Sequence, residues 1–409
     1  MNAAMPIDKL LELLAKETKE ILNADRCSVL LLDSEKKQLK GKVAHGINVD
    51  ELFFPENKGL AGSSAKTGKT INVKNAYKDK RFNREIDKKT GYRTKSVLCF
   101  PMKNHTGEVI GVFQALNKKE GDFNKKDEEL LRILSSQAAS AIENAQLYKE
   151  LKKSFESFIN TLVATIDARD PMTAGHSHKV TEYSILIGKQ LGISGKELQL
   201  LEYAAILHDL GKIGVREAIL TKRDSLTDEE YKQIKEHVIF TRNILNRIYF
   251  QKHLIEIPLI AGSHHERIDG KGYPNALKGN AIHKLAKIIA LADVFDSITN
   301  TRHYRNPMPI EKALTIIKTG SGSHFEPKCV KAFMDISLNR LISVLAKDII
   351  VKLKQQELKD FSDYTVGNFL KTIQKKYVKL SNEEKKVIKR FNFYYLKGGR
   401  KDVKNYKRN

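Results

Sequence analysis

Two stretches decide how this chain is read. The first is Ala205-Ile206-Leu207-His208-Asp209-Leu210-Gly211-Lys212-Ile213-Gly214. The second is His264-His265-Glu266-Arg267-Ile268-Asp269-Gly270-Lys271-Gly272-Tyr273-Pro274. A lone His237 lies between them, His176 upstream and Asp293 downstream. Imidazole nitrogens and carboxylate oxygens are ligands for borderline and hard divalent metals. Five of the 12 histidines fall at these positions, three of them with a histidine or aspartate as neighbour. The apolar spacing between them is helical, so ligands distant in sequence can converge inside a helical bundle.

With these residues at these positions, the stretch from about Phe158 to Met334 resembles the HD-GYP family of HD phosphohydrolases. The resemblance implies that His176, His208, Asp209 and Asp293 hold one metal ion. His237, His264 and His265 would hold a second, with Asp209 bridging. It also implies iron or manganese as the ions, and a water activated by the pair for in-line attack on a phosphodiester. Some members carry a glutamate four residues before the first histidine that supports a third ion. Met172 stands there, so two ions are expected rather than three. The family places Lys212 near the scissile phosphate, where a fixed ammonium stabilises developing charge, and Asp170 is its acidic residue at the start of the motif. Lys212, Tyr273, Arg302 and Arg305 are then the candidate substrate contacts, because guanidinium pairs bidentately with phosphate or guanine. In Thr301-Arg302-His303-Tyr304-Arg305, His303 replaces a proline, and Ile268 stands where a tryptophan is common. Glu266 and Asp269 read as groups that close the loop.

The chain has 409 residues, enough for two or three domains. Apolar runs fall short of the ~20 residues of a membrane span, and the Met1 end has no signal-peptide pattern. Cys27, Cys99 and Cys329 are isolated and odd in number, which suits a reducing, cytoplasmic setting. The net charge of +23 would attract polyanions. Leu341 to Asn409 holds 18 Lys/Arg against 7 Asp/Glu, nearly half of that excess.

The first 124 residues alternate helical and strand-like patterns: a helix over Pro6–Leu22, then strands at Cys27–Leu32, Thr70–Val73, Ser96–Pro101 and Val109–Leu116. This predicts an antiparallel sheet with helices on one side. Gly59-Leu60-Ala61-Gly62, Thr67-Gly68, Arg81-Phe82-Asn83, Thr90-Gly91-Tyr92 and Gly107-Glu108-Val109-Ile110-Gly111-Val112 make this half similar to a GAF domain. Asn117-Lys118, Phe123 and Asp127-Glu128 are similar to the signature of its cyclic-nucleotide-binding subgroup, which implies a cyclic nucleotide or another small ligand there. From Lys125 to about Asp170 a near-continuous helix is expected. Leu131, Leu134, Ala138, Ala141, Ala145 and Tyr148 form a heptad stripe, which a slip near Tyr148 interrupts. That predicts a coiled coil joining two protomers. The basic tail interleaves aromatics with lysines. It reads first as a small helical core, and as a nucleic-acid surface only second.

The expected architecture is multi-domain. It comprises an α+β GAF domain (1–124), a long linker helix (125–157), an all-α HD-GYP helical bundle (158–340) and a basic helical C-terminal extension (341–409). The expected function is hydrolysis of cyclic di-GMP to pGpG, or on to GMP, regulated by the GAF domain. A receptor for the dinucleotide that has lost catalysis and an enzyme for another cyclic dinucleotide are the alternatives.

Overall fold

The computed structural model describes residues 7–44, 53–170, 175–222, 224–300, 307–347 and 358–396. It divides into two compact units, Met1–Glu156 and Ser157–Asn409.

In the first unit, helix α1 (Ile7–Ile21) leads into strands β1 (Ala24–Asp33), β2 (Gln38–Ala44) and β3 (Phe53–Pro55), then α2 (Gly59–Thr67), β4 (Ile71–Val73), α3 (Arg84–Thr90), β5 (Val97–Lys103) and β6 (Val109–Lys118). The strands form one sheet in the order β3-β2-β1-β6-β5-β4, and every pairing is antiparallel. The strands are apolar on both sides, because successive residues point to opposite faces. Cys27, Val29, Leu98, Met102, Phe113 and Ala115 pack with Leu11 and Ala15 of α1. Leu30, Val97, Cys99 and Val112 pack with Leu60, Ala61 and Ala65 of α2. Helices therefore cover both faces, not one. Consecutive Val29 and Leu30 thus enter opposite cores by the ordinary alternation of a strand.

Helix α4 runs unbroken from Lys125 to Arg169. Part of its heptad stripe packs within its own unit. Leu131 and Ala138 are fully buried, and Ala139 and Ile142 nearly so, in the core of the sheet's own unit. Its exposed large apolar residues are Ile133, then Leu147, Tyr148 and Leu151, then Phe158. Spacing alone cannot tell a helix that covers its own sheet from one that pairs with a copy.

The second unit is helical: α5 (His176–Gln190), α6 (Gly195–Ile206), α7 (Glu217–Leu220), α8 (Asp228–Lys235), α9 (His237–Leu245), α10 (Ile257–Ala261), α11 (Lys284–Thr299), α12 (Ile310–Thr319), α13 (Pro327–Met334), α14 (Leu338–Leu345), α15 (Val366–Ile373) and α16 (Asn382–Leu396). Fully buried Tyr183 and Phe295 meet edge to face across α5 and α11, and Phe333 of α13 packs on Phe295. The boundary expected between residues 340 and 341 falls inside α14, whose Leu341 and Ile342 are fully buried. In the described part of the extension, Phe361, Phe369 and Phe391 are fully buried and pack together, as a helical core requires. These aromatics are therefore not offered to stacking bases.

Candidate metal centre

Five local structures bring the candidate histidines, Asp209 and Asp293 to one place. His176 is the first residue of α5. His208 and Asp209 follow the end of α6 and lead into a 3-10 turn over Leu210–Gly214. His237 opens α9, His264 and His265 follow α10, and Asp293 lies within α11. The turn after Asp209 fits against α9 only because Gly211 lacks a side chain. A Cβ there would lie 1.9 Å from the His237 carbonyl oxygen and 2.3 Å from the Thr241 nitrogen. The Thr241 hydroxyl accepts from the Gly211 N–H (2.8 Å) and donates to the His208 carbonyl (3.1 Å), which locks the two elements together.

The histidines are set in one tautomer by their backbones. Nδ1 of His208, His237 and His264 lies 2.7, 2.6 and 2.6 Å from the carbonyl oxygen three residues earlier. A carbonyl only accepts, so each Nδ1 carries the proton and each Nε2 is left with a lone pair. All three Nε2 atoms are buried and lack a hydrogen-bond partner. Buried polar atoms without partners are costly, and three gathered around the Asp209 carboxylate are what a cation site would relieve. The donors present, neutral imidazoles and carboxylates, fit such an ion.

Asp209 stands at the centre, with its two oxygens facing different histidines. Oδ2 is 3.3 Å from His208 Nε2 and 3.7 Å from His176 Nε2, while Oδ1 is 3.3 Å from His237 Nε2 and 3.9 Å from His264 Nε2. Asp293 reaches His176 Nε2 with Oδ1 (3.2 Å) and His265 Nδ1 with Oδ2 (3.9 Å). The potential ligand atoms form three overlapping groups: His176, His208 and Asp293; His208, Asp209 and His264; His237, His264 and His265.

The electrostatics favour the ligand forms for most of the set. Burial pushes His264 well below the usual imidazole range, and it brings His265 down to about 3, so both are neutral. Burial alone would raise Asp209 and Asp293, but the Lys212 ammonium beside Asp209 and His176 beside Asp293 outweigh it and hold both carboxyls well below the carboxylate range. His176 behaves differently. Burial opposes its charge, yet Asp293 and Asp296 raise it to about 10. A cation at its Nε2 would take the place of that proton.

Two groups that sequence reasoning missed complete the surroundings. Asp296 is fully buried, and its Oδ2 accepts from His176 Nδ1 at 2.6 Å and from Asn300 Nδ2 at 2.5 Å. The Asn300 carbonyl in turn accepts from Lys179 (3.0 Å). The available signal was the three-residue step from Asp293 to Asp296, which places both carboxylates on one face of α11.

Lys212 sits 2.7 Å from Asp209 Oδ2 and 3.9 Å from Asp170 Oδ2. Glu266 is buried and accepts from the N–H groups of Asn275 (2.8 Å) and Leu277 (2.9 Å), while Asp269 pairs with Arg267, so both hold the loop rather than face the centre. Within that loop Gly272 has no space for a Cβ, which would lie 2.4 Å from the Arg267 nitrogen. The Tyr273–Pro274 bond is cis. Tyr273 lies against His265, with ring centroids 4.7 Å apart. Met172, Arg302, His303 and Arg305 lie outside the described residues.

Residues 160–329 match the family model described as HD domain, and residues 6–142 match the one described as GAF domain. The chain carries a GAF domain followed by an HD domain. Over 198 residues it is 38% identical to a 3'3'-cGAMP-specific phosphodiesterase 3 of Vibrio cholerae, covering 48% of this chain and 42% of that protein. It is 35% identical to the cyclic di-GMP phosphodiesterase response regulator RpfG of Xanthomonas campestris, covering 45% of this chain and 49% of the relative. A cyclic di-GMP phosphodiesterase of Thermotoga maritima is 38% identical, covering 41% of this chain and 45% of its own. The chain thus spans less than half the length of these relatives.

The GAF domain holds a cleft of about 730 Å³, open to solvent, with Arg26, Phe54, Leu60, Phe82, Tyr92 and Leu116 in its lining. The residues that suggested a cyclic nucleotide do not line it. The Asn117 side chain accepts from the Lys95 N–H (2.6 Å) and donates to the Arg93 carbonyl (2.9 Å), and Lys118 pairs with Asp127 (2.8 Å). These residues tie β6 to the preceding loop and to α4. Among the described residues, no helix is long and apolar enough to cross a membrane.

Proposed function

We propose that the chain is a metal-dependent phosphodiesterase that opens a 3′–5′ linkage of cyclic di-GMP to give pGpG, and on a second cut GMP. The observation that carries this reading is Asp209, whose two oxygens face separate histidine groups, as a carboxylate shared by two ions must. His176, His208, Asp209 and Asp293 would hold one ion, and His237, His264 and His265 the other, with iron or manganese as occupants. Such a pair, when bound, supplies an activated water and neutralises charge on the phosphate. The residues of the chain do the rest. Lys212, held by Asp209 and Asp170, presents an ammonium to the phosphate oxygens, where charge grows during the reaction. Asp170 orients that ammonium. Tyr273 forms the rim beside His265, and Arg302 and Arg305 are assigned to phosphate or guanine from the sequence alone.

Relatives that act on cyclic di-GMP and on 3'3'-cGAMP both match the chain, so the two substrates are the comparison to make. The purified protein loaded with iron or manganese is incubated with each, and products are separated by chromatography. Faster cleavage of cyclic di-GMP is expected. Faster cleavage of 3'3'-cGAMP would reassign the substrate, and binding without cleavage of either would make the chain a receptor. We further assign regulation to the GAF cleft and self-association to the exposed Leu147, Tyr148 and Leu151 of α4, a setting consistent with a cytoplasmic dimer.

A further inference from the structure

Of the five histidines, four are nearly or fully buried, and only the His265 side chain is partly open, at 27%. The mouth of the metal centre is therefore on the His265 side. Three more groups line up there. Tyr273 lies against His265. The Lys235 ammonium stands 5.2 Å from the centre of the Tyr273 ring and 4.4 Å from that of Tyr231. Tyr231 is 47% exposed. Both Tyr231 and Lys235 belong to α8, which ends two residues before His237.

Lys235 differs from the other cation of the site. Lys212 is engaged by Asp209 and Asp170. Lys235 has no carboxylate within ion-pair distance among the described residues. The nearby acid Glu230 is taken up by Lys222 and by the Thr227 N–H. An ammonium over aromatic faces is held in place without being neutralised. Its charge stays available to an incoming anion.

A cyclic dinucleotide carries two phosphates in one ring. When one is at the metal ligands, the other must lie close by, at the mouth. We propose that Lys235, held over Tyr231 and Tyr273, receives the phosphate that is not being cut, and that the Tyr231 face flanks the attached nucleoside. This inference rests on the substrate class proposed above. A lysine at the end of α8 is also favoured by the helix dipole, and its stem could simply cover Tyr273. The test must separate these roles.

The metal-loaded full chain is assayed with cyclic di-GMP and with bis(p-nitrophenyl) phosphate, which has one phosphate only. The readout is the ratio of the two kcat/KM values in the wild type, Lys235→Arg and Lys235→Met. Loss of one charge-assisted hydrogen bond should lower that ratio about tenfold in Lys235→Met. The loss should appear in KM for the dinucleotide, and Lys235→Arg should stay near the wild type. Methionine keeps the apolar stem, so a covering role would leave the ratio unmoved in Lys235→Met. That result, or a proportional fall for both substrates, overturns the subsite alone. A wild type that cleaves the small diester but no cyclic dinucleotide overturns the subsite together with the substrate reading.

Discussion

Replacing Asp296 tests how the buried surroundings of the centre act on a single ligand. Asp296 touches no candidate metal position, and it fixes the His176 ring through a 2.6 Å hydrogen bond to Nδ1. In Asp296→Asn an amide oxygen can still accept from Nδ1, so the geometry is retained and the charge assistance is lost. Charged hydrogen bonds contribute about 1.5–3 kcal/mol and neutral ones about 0.5–1.5. The difference of about 1.4 kcal/mol corresponds to a tenfold loss of affinity for the ion on the His176 side. Asp296→Ala leaves Nδ1 with no acceptor and should cost closer to a hundredfold, the upper end for groups that orient ligands. The ion held by His237, His264 and His265 should bind as before. Metal content is measured after dialysis against graded chelator, alongside circular dichroism to confirm folding. If both variants release both ions together, or if neither changes affinity, then Asp296 does not act through His176 and the reasoning fails.

Gly211→Ala forces a methyl group onto backbone atoms of α9, which cannot move away as a side chain could. A loss of at least about 2 kcal/mol in chemical denaturation is expected, together with weaker metal binding; wild-type stability would refute the packing described. Asn117→Ala removes the bonds that tie β6 to Arg93 and Lys95. It should destabilise the GAF domain by about 2 kcal/mol while leaving its cleft intact, as judged by intrinsic tyrosine fluorescence and denaturant titration. Burial pushes the thiols of Cys27, Cys99 and Cys329 up to about 12, so at pH 8 the native protein should show no fast reaction with a thiol reagent. All three should react once it is unfolded, and a fast-reacting thiol in the native state would contradict the burial.

The residues that converge were readable because candidate metal ligands must be particular side chains, so His208-Asp209 and His264-His265 stand out wherever the backbone takes them. Asp296 was not readable in the same way, since a buried aspartate on a helix carries no motif and its meaning comes from the histidine that folding brings to it. The heptad stripe over Leu131–Tyr148 was legible only in part, for a related reason. Apolar spacing shows which face of a helix is covered and not what covers it, and the sheet of the same unit covers Leu131 and Ala138. The helices on both sheet faces were missed because Val29 and Leu30 read as one apolar run, although strand alternation sends them to opposite cores. Asn117 and Lys118 were read toward a ligand, whereas their side chains are consumed by the fold.

The central claim is that one carboxylate, Asp209, joins two ions. The most direct measurement is the number of iron or manganese ions per chain in anaerobically purified protein, compared among the wild type, His265→Ala and Asp209→Asn, with cyclic di-GMP turnover read on the same samples. The account predicts two ions in the wild type, one in His265→Ala, and loss of both with loss of turnover in Asp209→Asn. A wild type that binds a single ion, or an Asp209→Asn variant that keeps two, would contradict it.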